Sequence, residues 1–255
     1  MRALLVRLSS IGDVVHTLPA LAALHRHGWE ADWLVEPPSR VLLDLNPLLA
    51  QVQAAPSRKA FGWGKALATV GALRSRRYDA ALDFQGLMKS AVFARASGAR
   101  RVIGFSIWHL REKSARPFYS ETAGTDDPDD EEVHVIRKNL RLLRSVGVIS
   151  DRIAFPLARV DSPAAREVAS QIAGPFVLVN PGAAWPNKRW PSERFGEVAA
   201  FLREVRGLSS VVLWGPGEEA LARAVVEQSS GAARLAPPTR VADLLELSRT
   251  AALMV

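Results

Sequence analysis

Three short stretches of this chain carry residues that could do chemistry, and each follows an apolar run. The first is "RALLVRL" leading into "SSIGD", where Ser9, Ser10 and Gly12 are small enough for a backbone to approach an anion. Asp13 closes that stretch. At the carboxyl end of a first strand it suits a general base for a hydroxyl, and it equally suits the N-cap of the helix that follows. The second is "FVLVN" leading into "PGAAWPNKRWP", with Gly182, Ala183 and Ala184 before Lys188. A lysine there can reach a phosphate gathered at a helix N-terminus, or can be an ordinary loop lysine. Trp185 and Trp190 fit either core or lid aromatics. The third is "SVVLWG" leading into "PGEEA", with Gly215, Gly217, Glu218 and Glu219. A carboxylate just past a strand end can accept ribose hydroxyls, or complement the positive end of the next helix. Three glycine-bearing strand-end loops are expected to face one cleft.

Other candidates are weaker. Asp127-Pro128-Asp129 has the D-x-D form of a metal ligand, but it sits among six acids in seven residues, away from any strand end, and is expected to be solvated loop. His16 falls on the same helical face as Asp13, where it could assist a base or be a polar core residue. There is no cysteine, which excludes a disulfide scaffold, a thiol nucleophile and Cys-ligated zinc or iron–sulfur sites. None of the five histidines forms an H-E-x-x-H pair, so no metal site is expected.

These loops need strands and helices to hold them. Strand-like runs occur at Ala3–Leu8, Ala31–Val35, Asp79–Asp83, Arg101–Gly104, Phe176–Asn180, Ser210–Trp214 and Ala251–Val255. Helical periodicity occupies Val14–His27, Val133–Val146, Pro163–Ile172, Ser192–Val205, Glu218–Gln228 and Arg240–Arg249. Alternation of the two predicts an α/β protein with parallel sheets covered by helices. With 255 residues and a linker near 150–165, two domains are expected, 1–155 and 156–255. The second is shorter and ends on an apolar run, so the chain is expected to stop before that domain is complete.

The net charge is +7, yet Arg58–Arg116 holds 13 Lys/Arg against three acids, a local +10 that leaves −3 for the remainder. A functional basic face for a polyanionic partner is the expectation. No helix-turn-helix, RNP or zinc-finger pattern points to nucleic acid. No run of 18 apolar residues is present and Arg7 interrupts the first apolar stretch, so neither a membrane span nor a cleaved signal is expected. The expected location is the cytoplasm, with peripheral contact at the membrane face.

Taken in order, the motifs resemble those of glycosyltransferase family 9, the heptosyltransferases of lipopolysaccharide core assembly. "VRLSSIGDVVHTLPALAAL" is similar to the family's amino-terminal signature, and "YDAALDFQGLMKSA" to its D-x-Q-G-L-x-K-S-A segment. "REKSARPFY" and "HVIRKN" take the next places, "NPGAAWPNKRWP" resembles the donor loop with the family lysine, and "LWGPGEE" resembles W-G-x-x-x-E. Two departures stand out. The chain ends before the family's D-[ST]-G-x-x-H segment, and Ala183 and Ala184 replace hydroxyl residues of some relatives, leaving only backbone contacts there.

The resemblance implies a GT-B architecture of two Rossmann-like domains. It implies inverting transfer of heptose from ADP-L-glycero-β-D-manno-heptose to a Kdo-lipid A acceptor, with no metal and no cofactor. Asp13 and Lys188 would be catalytic. Ser9, Ser10, Gly12, Arg58, Lys59, Arg111, His134 and Lys138 would take the acceptor. Gly182, Ala183, Ala184, Lys188, Gly215 and Glu218 would take the donor. Alternatives are another transferase of the family with a different acceptor or sugar, a basic polyanion-binding module, or a fragment that binds acceptor without catalysis.

Overall fold

The run "RALLV" is apolar at every position after its first because its strand is covered on both faces, as central strands of parallel sheets are. In the computed structural model, which describes residues 1–56, 62–123, 133–183 and 185–255, this strand β1 (Arg2–Val6) lies at the middle of a six-stranded sheet. Its neighbours are β2 (Glu30–Val35), β3 (Leu49–Ala54), β4 (Ala80–Asp83), β5 (Arg101–Phe105) and β6 (Glu121–Ala123). All are parallel, in the order β3-β2-β1-β4-β5-β6. The order reverses beside β1, which opens a crevice at the carboxyl ends of β1 and β4.

Helices cover both faces. On one, α1 (Ile11–Arg26) and α5 (Val135–Leu142) supply Leu18, Leu21, Ile136 and Leu140 to the first core. On the other, α3 (Trp63–Ser75) and α4 (Met88–Ala96) pack Leu73, Ala91 and Phe93 against Leu4, Val6 and Ala81. A short helix α2 (Pro37–Leu43) follows β2. The periodic stretch Val133–Val146 divides into α5 and a 3-10 turn (Leu143–Val146), stopped by Gly147 at φ 76°.

A buried carboxylate shapes the crevice. Asp83, with no solvent exposure, accepts hydrogen bonds from the amides of Gln85 (2.8 Å) and Gly86 (3.2 Å), Ser90 Oγ (2.8 Å) and Tyr119 Oη (2.7 Å). Burial pushes its carboxyl above the ordinary range, against these four donors. Tyr119 reaches Asp83 by lying across Gly104, where any Cβ would overlap the ring. Gly104→Ala is therefore expected to cost at least about 1–3 kcal/mol. The urea midpoint measures this, and an unchanged midpoint would show that the ring has room elsewhere.

The chain falls into two compact units, Met1–Ala158 and Arg159–Val255. The boundary has a local cause. Ala158 N–H donates to Leu45 C=O (2.8 Å) in the first unit. Val160 N–H and Ser162 Oγ donate to Glu246 (3.1 Å) and Asp243 (2.8 Å) in the second.

The second unit is a parallel sheet in the order β10-β7-β8-β9. Its strands are β7 (Phe176–Val179), β8 (Ser209–Val212), β9 (Ala233–Leu235) and β10 (Leu253–Met254). Helices α7 (Ser192–Arg206) and α8 (Glu219–Glu227) cover one face, and α6 (Pro163–Gln171) and α9 (Val241–Thr250) the other. The apolar run at 251–255 contributes β10, which pairs parallel with β7. Among the described residues no helix is long and apolar enough to cross a membrane.

Candidate functional site

In the first unit the loops after β1, β4 and β5 meet. Gln85 Oε1 accepts the amides of Leu8 (3.0 Å) and Ser9 (3.3 Å), so the β4 loop holds the β1 loop. Gly86, at φ +68°, lets Leu110 and Arg111 pass close by, and Glu112 N–H donates to Gly86 C=O (3.0 Å). These contacts surround a cavity of ≈ 320 Å³ lined by Arg7, Asp13, Gln85, Trp108, His109, Arg111, Lys138 and Asn139, among others.

Asp13 is not the N-cap of α1, as one reading of its spacing had it. Ser10 is the N-cap, and Asp13 sits three residues in, its Oδ2 accepting the Ser10 amide at 3.2 Å. Its Oδ1 pairs with Arg7 Nη2 at 2.6 Å and its Oδ2 with Arg111 Nη1 at 3.9 Å. Arg7 is 4% exposed, donates to Phe84 C=O, and leaves a buried Nε with no partner. His109 Nε2 is likewise buried without a partner on the same cavity wall.

Burial lowers the Arg7 pKa, with Asp13 working the other way. For Asp13, burial favours protonation, but the Arg7 charge and the Ser10 amide outweigh it, so the carboxyl titrates below the usual range.

The expected acceptor residues are distributed unevenly. Ser9 is half-buried, while Ser10 and Gly12 are exposed at the helix start. A Cβ on Gly12 would meet nothing within 4 Å, so the space beside it is open. Lys138 and Arg111 line the cavity. His134 instead serves as N-cap of α5, Nδ1 accepting the Ile136 amide (3.3 Å), with its ring edge-on to His16 (5.7 Å). His16 thus stacks on His134 and makes no hydrogen bond to Asp13 among the described residues. Arg58, Lys59 and the acidic stretch Asp126–Glu132 lie outside the described residues.

Part of the basic segment is paired within the first unit: Arg76 with Asp32 and Glu30, Lys89 with Glu36, Arg100 with Asp79 and Arg101 with Glu121. Spacing did not single out Arg7, Gln85, His109 or Asn139 as cavity residues.

In the second unit the loops after β7 and β8 converge. Glu218 Oε2 accepts the Gly215 amide (3.2 Å) and its Oε1 lies 3.5 Å from Arg189 Nη2, while Arg189 Nε donates to Ala183 C=O (3.1 Å). Glu218 precedes α8 but makes no side-chain cap, so its carboxylate is spent on the loop. Gly182 and Ala183 are half-buried; Ala184 lies outside the described residues. Lys188 ends a 3-10 turn (Pro186–Lys188) ahead of α7, exposed and without an ion pair among the described residues. Trp185 is exposed, and Trp190 packs edge-on to Phe195 (5.2 Å).

A Cβ at Gly182 would overlap the Glu218 carboxylate. Gly182→Ala is therefore expected to displace that group and, if the loop takes the donor as the resemblance implies, to weaken ADP binding about tenfold, the effect of some 1.4 kcal/mol. Calorimetric titration with ADP measures it, and an unchanged affinity would remove Gly182 and Glu218 from the donor site.

The family model of glycosyltransferase family 9 (heptosyltransferase) matches residues 66–255. Lipopolysaccharide heptosyltransferase 1 of Pseudomonas aeruginosa is 31% identical over 235 residues, covering 86% of this chain; the chain spans 62% of that relative's length. The structure of E. coli heptosyltransferase WaaC with ADP superposes with a TM-score of 0.77 at 26% identity, covering 100% of this chain and 80% of that one. WaaC with ADP-2-deoxy-2-fluoro heptose gives 0.78 at 25%, covering 100% and 82%. Both units are thus Rossmann-like sheets of the GT-B fold.

Proposed function

The chain belongs to glycosyltransferase family 9, and we propose that it is a heptosyltransferase I-like enzyme. In this reading it transfers L-glycero-D-manno-heptose from ADP-heptose to a Kdo-lipid A acceptor, inverting the anomeric centre without a metal. The observation that carries the proposal is the cavity of the first unit, where one ionised carboxylate, Asp13, stands among Arg7, Arg111, Lys138 and His109. A carboxylate to take a hydroxyl proton, ringed by donors for phosphates and sugar acids, is what an acidic glycolipid acceptor requires. The names of the WaaC structures support an ADP-linked donor.

The reaction forms one bond from the acceptor oxygen to the heptose anomeric carbon and breaks the bond from that carbon to the diphosphate. The hydroxyl proton passes to an Asp13 oxygen. The bonding pair leaves with ADP, whose growing charge Lys188 neutralises. Glu218, fixed by Gly215 and Arg189, is assigned to the ribose.

The test is incubation of the chain with ADP-heptose and Kdo-lipid A, with detection of the heptosylated lipid by mass. Transfer of a different sugar, or only to a different acceptor, would overturn the assignment. Arg111→Ala is expected to raise the acceptor KM about tenfold, as loss of a charge-assisted hydrogen bond does, and the donor KM little. The effect should shrink on an acceptor stripped of phosphate, and an equal effect on both acceptors would contradict a phosphate contact.

A further inference from the structure

Helix α5 serves two hollows of the first unit. Lys138 and Asn139 line the cavity already described. Arg137 and Arg141, with Arg144 in the 3-10 turn that follows, line a second hollow of ≈ 110 Å³ together with Ser150 and Asp151, among others. Their spacing, four positions and then three, sets the three arginines on one stripe. Arg26, the last residue of α1, reaches the same place, its Nη2 donating to Ser150 Oγ at 2.9 Å. In the turn after α5, Ser145 C=O accepts Arg101 Nη2 (2.7 Å), and Arg101 opens β5. The second hollow therefore lies toward the amino ends of the strands, away from the crevice that holds Asp13.

Charge and size select the occupant. Asp151 is the acid of this lining, and neither it nor Arg137 nor Arg144 forms an ion pair among the described residues. Arg141 and Arg144 follow the helix toward its carboxyl end, where cations complement the last carbonyls. Arg137 stands in the first turn, where the helix dipole opposes a cation, so capping does not account for the stripe. Like charges at this spacing repel, and an anion between them turns the repulsion into attraction. The volume is below that of nucleotide or sugar pockets and suits one tetrahedral oxyanion. Guanidinium forks from three positions fit an ion with several oxygens and more than one charge, which a carboxylate is not. Ser150 Oγ accepts from Arg26 and from the Arg152 amide (3.3 Å), which leaves its own hydrogen to give.

We propose that this hollow is a second anion site, which binds a phosphate group between Arg137, Arg141 and Arg144 with Ser150 as a further donor. The inference is independent of the transfer reaction, and its test uses neither donor nor acceptor. The chain is titrated calorimetrically with inorganic phosphate in a low-salt chloride buffer. Binding is expected, with sulfate competing because it has the same shape. Arg137→Gln with Arg144→Gln should weaken it about tenfold or more, since two charge-assisted contacts are lost. The same variant should melt no lower than wild type without phosphate, because both side chains are exposed and repel, and should lose the rise in melting temperature that phosphate gives the wild type. Arg111→Ala and Lys188→Ala should keep the site, which sets it apart from the cavity around Asp13 and from the donor loop. Arg137→Lys with Arg144→Lys keeps the charge but not the forks, and should weaken binding severalfold. Absence of phosphate binding to the wild type would overturn the proposal, as would unchanged affinity in the glutamine variant. So would loss of binding in Arg111→Ala or Lys188→Ala, or full affinity in the lysine variant, which would show a diffuse positive field in place of a site.

Discussion

Asp13→Asn is expected to lower turnover about 10²–10⁴-fold, the usual contribution of a positioned general base, while leaving acceptor binding nearly unchanged. The same change should also cost stability. Arg7 is buried, and Asp13, 2.6 Å away, is its ionic partner. Removing one member of a buried pair strands the other, at about 3 kcal/mol here, the low end of the range because the Asp13 side chain is one-fifth exposed. The two losses can be separated. Arg7→Met combined with Asp13→Asn should recover stability and no turnover.

The pH dependence follows from the sign of the Asp13 shift. Its folded pKa is lowered, so its contribution to stability is complete above its unfolded value of about 3.9 and is lost as pH falls through the folded value. The stability gap between wild type and Asp13→Asn should therefore narrow only below about pH 4, and the rate profile should show no acid limb from this group above it. A carboxylate held so low is a weak base. On the proposed mechanism it takes the proton only once the bond to the anomeric carbon has begun to form and has made the hydroxyl acidic. Wild-type turnover in Asp13→Asn would leave this residue as the partner of Arg7 and nothing more.

What was legible in the sequence depended on where each side chain points. Strands β1, β2, β4, β7 and β8 show as apolar runs because both their faces are covered. Strand β3, "LAQVQA", escapes notice because it is an edge strand with Gln51 and Gln53 outward. β6 and β9, three residues each, are too short to show a period. Helix α3 is missed because Trp63 and Leu67, its strongest apolar signals, face away from the core. Asp13 was visible because it closes a strand-loop-helix junction. Arg7 looked like a strand residue until the fold set Phe84 C=O and Asp13 on either side of it. Counting charges found the sign of Arg58–Arg116 but could not see Asp32 beneath Arg76 or Glu36 beside Lys89, partners 44 and 53 positions away.

Lys188→Ala should separate transition-state from ground-state roles at the donor end. Lys188 is exposed and makes no ion pair among the described residues, so its loss should leave the melting temperature unchanged. If its ammonium meets charge that develops on the diphosphate as the glycosidic bond breaks, kcat should fall about 10²–10³-fold, as on losing a preorganised electrostatic donor. The donor KM should then move much less, because the extra charge exists only in the transition state. Arg189→Ala provides the contrast. Arg189 braces Glu218 and the Ala183 carbonyl, so its removal should loosen the donor loop and raise the donor KM first. If Lys188→Ala instead raises the donor KM with kcat unchanged, the lysine binds the resting diphosphate and the leaving charge must be met elsewhere, with the amides at the start of α7 the next candidates.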